Sequence, residues 1–233
     1  MTEPVAVSRD QDVAVVTIDD GKANALSFAV LDALNAALDD AEAEAKAVVV
    51  NGREGKFSAG FDLSVMTGDI ADARRLLAAG ATLGVRLLTF PIPVVLGVTG
   101  HALAMGGILT TTADYRVGAD GPYKIGLNEV AIGMPVPSFA VELCRDRLSP
   151  SWFVRCVQSA TLCTPAEAVE AGFLDEVVAL TDVPERALAV AAQLAETVHP
   201  GPFRMTRATI RGALAAQLRT GLEADMALFD VTT

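Results

Sequence analysis

Two short segments have the residue types and spacing for chemistry: Phe57-Ser58-Ala59-Gly60-Phe61-Asp62 and Gly100-His101-Ala102-Leu103-Ala104-Met105-Gly106-Gly107. Each reads as a tight, small-residue loop that ends a strand and opens a helix. Such a loop leaves backbone N–H groups free at a helix start, where the aligned peptide dipoles favour an anion. Two of them converging on one point would hold a carbonyl oxygen as it becomes negative. That is the oxyanion hole of enzymes that pass through enolates or tetrahedral intermediates. The carboxylate suited to work beside it is Glu129. The chain has 29 acidic residues, and most of them must be solvated, but Glu129 stands among Ile125, Gly126, Leu127, Val130, Ala131 and Ile132. Apolar walls raise a carboxyl pKa by desolvation and make the group a better base toward carbon acids.

The elements that must position these residues are legible as alternating strands and helices. Val13–Ile18 is β-branched and reads as a buried strand, and Asp19-Asp20-Gly21-Lys22 turns the chain. Ser27 is an N-cap for an amphipathic helix to about Ala45, with Val30, Leu31, Leu34 and Leu38 on one face. Val48-Val49-Val50 and Val94–Val98 are wholly apolar strands, as strands covered on both faces should be, and each signature loop directly follows one of them. Ligands bind at such carboxyl strand ends in open α/β layers. Between them a helix spans Ile70 to Thr89, stopped by Pro91 and Pro93. Thr164-Pro165-Ala166-Glu167 combines a cap, a first-turn Pro and a capping-box Glu, and Gly172 closes that helix. Leu174–Val178 returns as a strand, and from Val183 onward the chain is helical, broken at His199-Pro200-Gly201-Pro202. The pattern is that of an α/β core.

The two loops, with Ala113-Asp114-Tyr115-Arg116-Val117 and Ile125-Gly126-Leu127-Asn128-Glu129, resemble the enoyl-CoA hydratase/isomerase (crotonase) family. The likeness runs from about residue 5 into the last helices, and Gly126-Leu127-Asn128-Glu129 is most similar to the mitochondrial Δ3,Δ2-enoyl-CoA isomerase branch. It implies a spiral of ββα turns over residues 1–180 and a helical trimerisation segment over 181–233. By position it gives the oxyanion roles to the N–H groups of Ala59 and Met105. Glycine is the family's usual residue at Met105, so its side chain must point away from the thioester or shrink the pocket. Glu129 stands where the isomerases have their proton-shuttling glutamate. Ile108 falls where the hydratases carry a second glutamate, and the isomerases too have an aliphatic residue there. Lys22, Asn24, Ala25 and Leu26 resemble the segment whose backbone meets the nucleotide end of coenzyme A. Gly60, Phe61 and Asp62 complete the first loop, Asp62 as a helix cap. His101 is assigned no chemistry, and Asp114 is expected to satisfy backbone groups.

Composition bounds the rest. At 52% hydrophobic the 233 residues can bury a substantial core. No apolar run reaches the length of a membrane span, and no basic stretch precedes an apolar block at the N-terminus, so the default expectation is a cytoplasmic protein. Three cysteines, Cys144, Cys156 and Cys163, lack metal-ligand spacing, so neither a metal nor a redox cofactor is expected. A formal charge of −11 argues against nucleic acid. An anionic ligand would need local basic ground, for which Lys22, Arg53 and Lys56 are candidates. The expected activity is a shift of a 3-enoyl-CoA double bond to trans-2-enoyl-CoA, with coenzyme A entering as part of the substrate and the enzyme a homotrimer or dimer of trimers. A hydratase or other enolate chemistry, a silent acyl-CoA-binding protein and a structural subunit stand as alternatives.

Overall fold

The structure, a computed structural model, describes residues 3–228. Strands β1 (Val5–Asp10) and β2 (Val13–Ile18) form an antiparallel hairpin, and β3 (Ala47–Asn51), β5 (Val94–Val98), β7 (Tyr115–Ala119) and β9 (Glu176–Val178) join it in parallel. The sheet order is β1-β2-β3-β5-β7-β9. A second parallel sheet has the order β4 (Gly55–Ser58), β6 (Gly100–Leu103), β8 (Ile125–Gly126). Each passage of the chain therefore lays one strand in the large sheet and the next in the small one, then returns through a helix. This is the expected spiral of ββα turns.

Side-chain alternation explains why both faces of the large sheet are dry. Val16, Val50 and Leu96 share a row and face the main core with α1 (Phe28–Glu44) and α3 (Ile70–Leu88). The alternate residues Val49 and Val95 face α8 (Val183–Thr197), through its Val183, Ala187, Val190 and Ala191. The first helix of the segment expected to serve oligomerisation, residues 181–233, closes one face of the core. The last helix, α9 (Pro200–Leu228), packs along α3 and along α5 (Ser138–Arg147). No helix among the described residues is long and apolar enough to cross a membrane.

Helix starts follow the sequence closely. Ser27 accepts from the Val30 N–H, Asp69 caps α3, and Thr164 and Glu167 make a full capping box on α7 (Pro165–Ala171). Two features differ from the sequence reading. The signature segments are only half loop, because their first residues are the strands β4 and β6. The Tyr115–Ala119 strand was also hidden, because Arg116 interrupts its apolar pattern.

Arg116 is fully buried. Its guanidinium donates to the carbonyls of Ala113, Gly172 and Phe173 and to Asp175, and Arg147 also reaches Asp175 (3.0 Å). Beside it, Asp114 accepts from the Val94 N–H and pairs with Arg207 and Arg211 of α9. Arg207 also donates to the carbonyl of Phe90, and Arg211 to those of Leu88 and Thr112. These arginines thus take carbonyls at the C-terminal ends of α3, of α7 and of α4 (Met105–Thr110), where the dipoles are negative. Removing one partner of a buried pair leaves an uncompensated charge and typically costs about 3–5 kcal/mol. Asp175 is partly exposed, so Asp175→Ala should lower stability by about 2–3 kcal/mol in urea titration; an unchanged midpoint would show that the carbonyls alone hold Arg116.

Candidate active site

The first loop is held from below by Asn24. This residue is fully buried at φ +52°, a left-handed conformation that Asn tolerates better than most residues. Its Nδ2 donates to the carbonyls of Ile18 (2.7 Å), Lys56 and Phe57 (both 3.2 Å). The Ser58 hydroxyl donates to the Asn24 carbonyl, the Leu26 N–H to the Gly60 carbonyl, and the Asp62 N–H to the Leu26 carbonyl. Residues 23–26 are thereby stapled along the loop, and this settles which amides are free. The Ala59 N–H donates to the Ala23 carbonyl (3.1 Å) and the Gly60 N–H to Ser58 Oγ (3.1 Å). The Ala59 N–H, expected from the sequence to serve an oxyanion, is therefore engaged within the protein. The next amide, that of Phe61, has no partner among the described residues.

The second loop supplies the Met105 N–H, the first of α4 and likewise unpartnered among the described residues. The two loops converge on this point. A Cβ built on Gly60, whose φ is +90°, would lie 2.7 Å from Ala104 Cβ, 3.1 Å from the Leu103 carbonyl and 3.2 Å from Met105 N. Gly106 and Gly107 let the start of α4 rest directly on the carbonyls of Ser58 and Gly126, at 2.4 and 2.6 Å from their virtual Cβ atoms. The Met105 side chain does point away from the cleft. It is fully buried, with Cε beside Gly80 and Gly84 of α3.

The carboxylate arrives from the third strand of the small sheet. β8 is fixed on one side by the Ala104 N–H, which donates to the Gly126 carbonyl, and on the other by paired bonds between Ile125 and Cys163. Glu129 then opens a 3-10 turn over Val130–Ile132 that ends at Gly133 (φ +85°). It is 9% exposed, and its Oε2 is buried without a hydrogen-bond partner among the described residues, as is Oδ1 of Asn128. Burial raises the Glu129 carboxyl pKa, while hydrogen bonding from the backbone at 129 and 128 opposes the shift. Glu129, Asn128, Phe61 and Ala104 border one cleft of about 180 Å³, otherwise walled by Ala59, Leu63, Met66, Ile132 and Met134. Glu129 is the only carboxylate in that wall.

Other expected site residues fall outside the cleft. Ile108 is buried in the main core and does not line it. Asn24 and Leu26 are buried, and the N–H groups of Asn24, Ala25 and Leu26 are taken by Asp20 and Gly60, so these residues hold the loop. Lys22 remains exposed, its carbonyl accepting from Arg53. Asp62 caps the short helix α2 (Leu63–Met66) through the Ser64 N–H. His101 accepts from the Lys124 N–H at Nδ1 and stands edge-on to Tyr123; burial, then Lys56 and Lys124, lower its pKa. Phe61 as donor, Asn128 and the α3 glycines carried no readable signal beyond their places in or near the motifs.

A family model described as enoyl-CoA hydratase/isomerase matches residues 8–233. The mitochondrial enoyl-CoA delta isomerase 1 of Homo sapiens is 32% identical over 222 residues, which are 93% of this chain and 73% of that protein. A Bacillus subtilis protein described as a probable enoyl-CoA hydratase is 31% identical over 202 residues, 82% of this chain and 76% of that one. Among solved structures, an enoyl-CoA hydratase/isomerase family protein from Pseudomonas syringae superposes with a TM-score of 0.94 at 42% identity, covering 96% of this chain and 97% of that one.

Ala104, between the two loops, sits at φ +51°, ψ −125°. That region is glycine territory, and a side chain there stores on the order of 1–3 kcal/mol. Ala104→Gly should raise stability by about 1 kcal/mol after the extra unfolded-state entropy of glycine is subtracted. A lower melting temperature for the variant would show that the alanine is unstrained.

Proposed function

The chain belongs to the enoyl-CoA hydratase/isomerase family, and from that premise we propose that it is an enoyl-CoA isomerase, moving a 3-enoyl-CoA double bond into conjugation with the thioester. The observation that carries this reading is the lone carboxylate, its Oε2 without a partner among the described residues, in an apolar cleft bordered by Phe61 and Ala104, where the loops bearing the free Phe61 and Met105 amides meet. The thioester carbonyl would accept from the Phe61 and Met105 N–H groups. Glu129 would remove a proton from C2, and the electrons of that C–H bond would spread over C2–C4 and onto the thioester oxygen. The resulting dienolate is the species two preorganised N–H donors stabilise most. The same carboxyl, now protonated, would return its proton to C4, leaving the double bond between C2 and C3. The shift needs no second acid/base group, since one carboxyl receives and returns the same proton. Burial supports the role, because a raised pKa strengthens the base. Coenzyme A enters this reaction only as part of the substrate.

Hydration is the second reading, and one feature favours it. Asn128 Oδ1 and Glu129 Oε2, on consecutive residues, are buried acceptors without donors among the described residues, and a water within reach of both would satisfy them. Offering 3-enoyl-CoA and trans-2-enoyl-CoA separately decides between them. Isomerisation predicts rapid conversion of the first and little addition of water to the second. Ready hydration of the second with the first untouched would overturn the isomerase reading.

Glu129→Gln should reduce turnover by about 10²- to 10⁴-fold, the usual contribution of a positioned base, while acyl-CoA still binds. For the wild type, kcat/KM should fall as Glu129 is protonated, along an acid limb above the ordinary glutamate value. Because burial disfavours its charged form, Glu129 costs stability once the pH rises through its folded-state pKa. The glutamine variant should therefore melt higher than the wild type at neutral pH and lose that advantage in acid. Near wild-type turnover in Glu129→Gln would remove it from the mechanism.

A further inference from the structure

Phe61 and Met105, whose amides are unpartnered among the described residues, both bear large side chains, and both side chains lie against the same place on α3. A Cβ built on Gly80 would be 2.3 Å from both Cε1 and Cζ of the Phe61 ring and 3.7 Å from Met105 Cε. The ring therefore sits in the space where any other residue at 80 would carry its side chain. Gly80 is buried and interior to a 19-residue helix, a position where glycine weakens the helix relative to alanine. Residue 61 has few ways to respond to a Cβ there. Its carbonyl neighbour at Gly60 is bonded to Leu26, Asp62 is bonded to the Leu26 carbonyl, and Gly60 abuts Ala104 and Met105. With the backbone held on both sides, a ring pushed off α3 must swing about its own side-chain torsions, which withdraws the packing that backs the Phe61 N–H.

We propose that Gly80 is a positioning residue for carbonyl binding: its missing side chain seats the Phe61 ring on α3 and so aims the Phe61 N–H at the point the Met105 N–H also addresses. This rests on the isomerase reading for its chemistry, but it concerns the amides alone and applies to any enolate formed there. Gly84, one turn further along α3, provides the contrast. A Cβ there meets Leu143, Met105 and Thr112 at 3.7–4.0 Å, ordinary contact distances, so alanine fits without moving anything.

The test reads carbonyl polarisation directly. A conjugated thioester such as 2,4-hexadienoyl-CoA absorbs at longer wavelength when its carbonyl accepts hydrogen bonds, so binding to the wild type should red-shift its spectrum. Gly80→Ala should lose most of that shift and about 10²-fold in kcat, the scale of a misplaced catalytic group, with Kd little changed. Gly84→Ala should keep both. Adding Phe61→Ala to Gly80→Ala removes the ring but keeps the N–H, and should restore the shift to that of Phe61→Ala alone. If Gly80→Ala does not fold, the comparison of the double variant with Phe61→Ala still decides, since a difference in shift between them overturns the inference. A full shift and full kcat in Gly80→Ala also overturn it while leaving the isomerase reading intact. No shift in the wild type would overturn the carbonyl-binding assignment itself, and this inference with it.

Discussion

The site depends on one close approach, that of the backbone at Gly60 to the backbone at Ala104–Met105. A Cβ on Gly60 would overlap Ala104, and the glycines at 106 and 107 leave no more room between α4 and the carbonyls of Ser58 and Gly126. Only bare backbone allows the two free amides to face one point. The small sheet exists to make this possible, since its three parallel strands deliver the two loops and Glu129 from adjacent tracks. Asn24 then fixes the height of the first loop with a side chain that reaches three carbonyls. A fully satisfied buried amide of this kind rigidifies its surroundings, whereas a partly satisfied one would loosen them.

The opposite edge of the large sheet has the complementary electrostatic problem. Parallel strands followed by helices set several helix C-termini side by side, and their terminal carbonyls concentrate negative potential. Arg116, Arg207 and Arg211 answer it, with Asp114 and Asp175 limiting the surplus positive charge. An acidic chain thus keeps four arginines, counting Arg147, at one internal edge. Burial lowers the pKa of Arg116, and Arg147 lowers it further, while Asp175 acts in the opposite direction.

Much of this arrangement was legible in the residues. The apolar strands at 13–18 and 94–98 stand where they were expected, and Ser27 and Thr164 cap helices as their types require. The spiral itself came from the motifs rather than from periodicity, because strands of two to four residues such as β8 and β4 are too short to show a period. Arg116 concealed a central strand, since no pattern of apolar residues reveals that carbonyls from two helix ends will satisfy a guanidinium. Which amide of the first loop is free was hidden for a similar reason. Ala59 and Phe61 both lie in the loop, and only the bond from Ala59 to Ala23, a partner in another segment, separates them. Gly80 is one of the chain's 19 glycines, and nothing local marks it as the seat of a ring 19 positions away in sequence.

The pairing of β4, β6 and β8 has a consequence for how the protein comes into being. Gly55 meets Gly100, and Ala102 meets Ile125, so the strand contacts that bring the two loops together join distant stretches of chain. Contacts of this kind require large loops to close before any bond rewards them, which makes folding slow. The amides, the clamp at Asn24 and the carboxylate have no local version that could form early. Binding capacity should therefore emerge all at once, when the chain through residue 129 has docked, and a nascent or partly unfolded chain would have strands and helices yet no grip on a carbonyl.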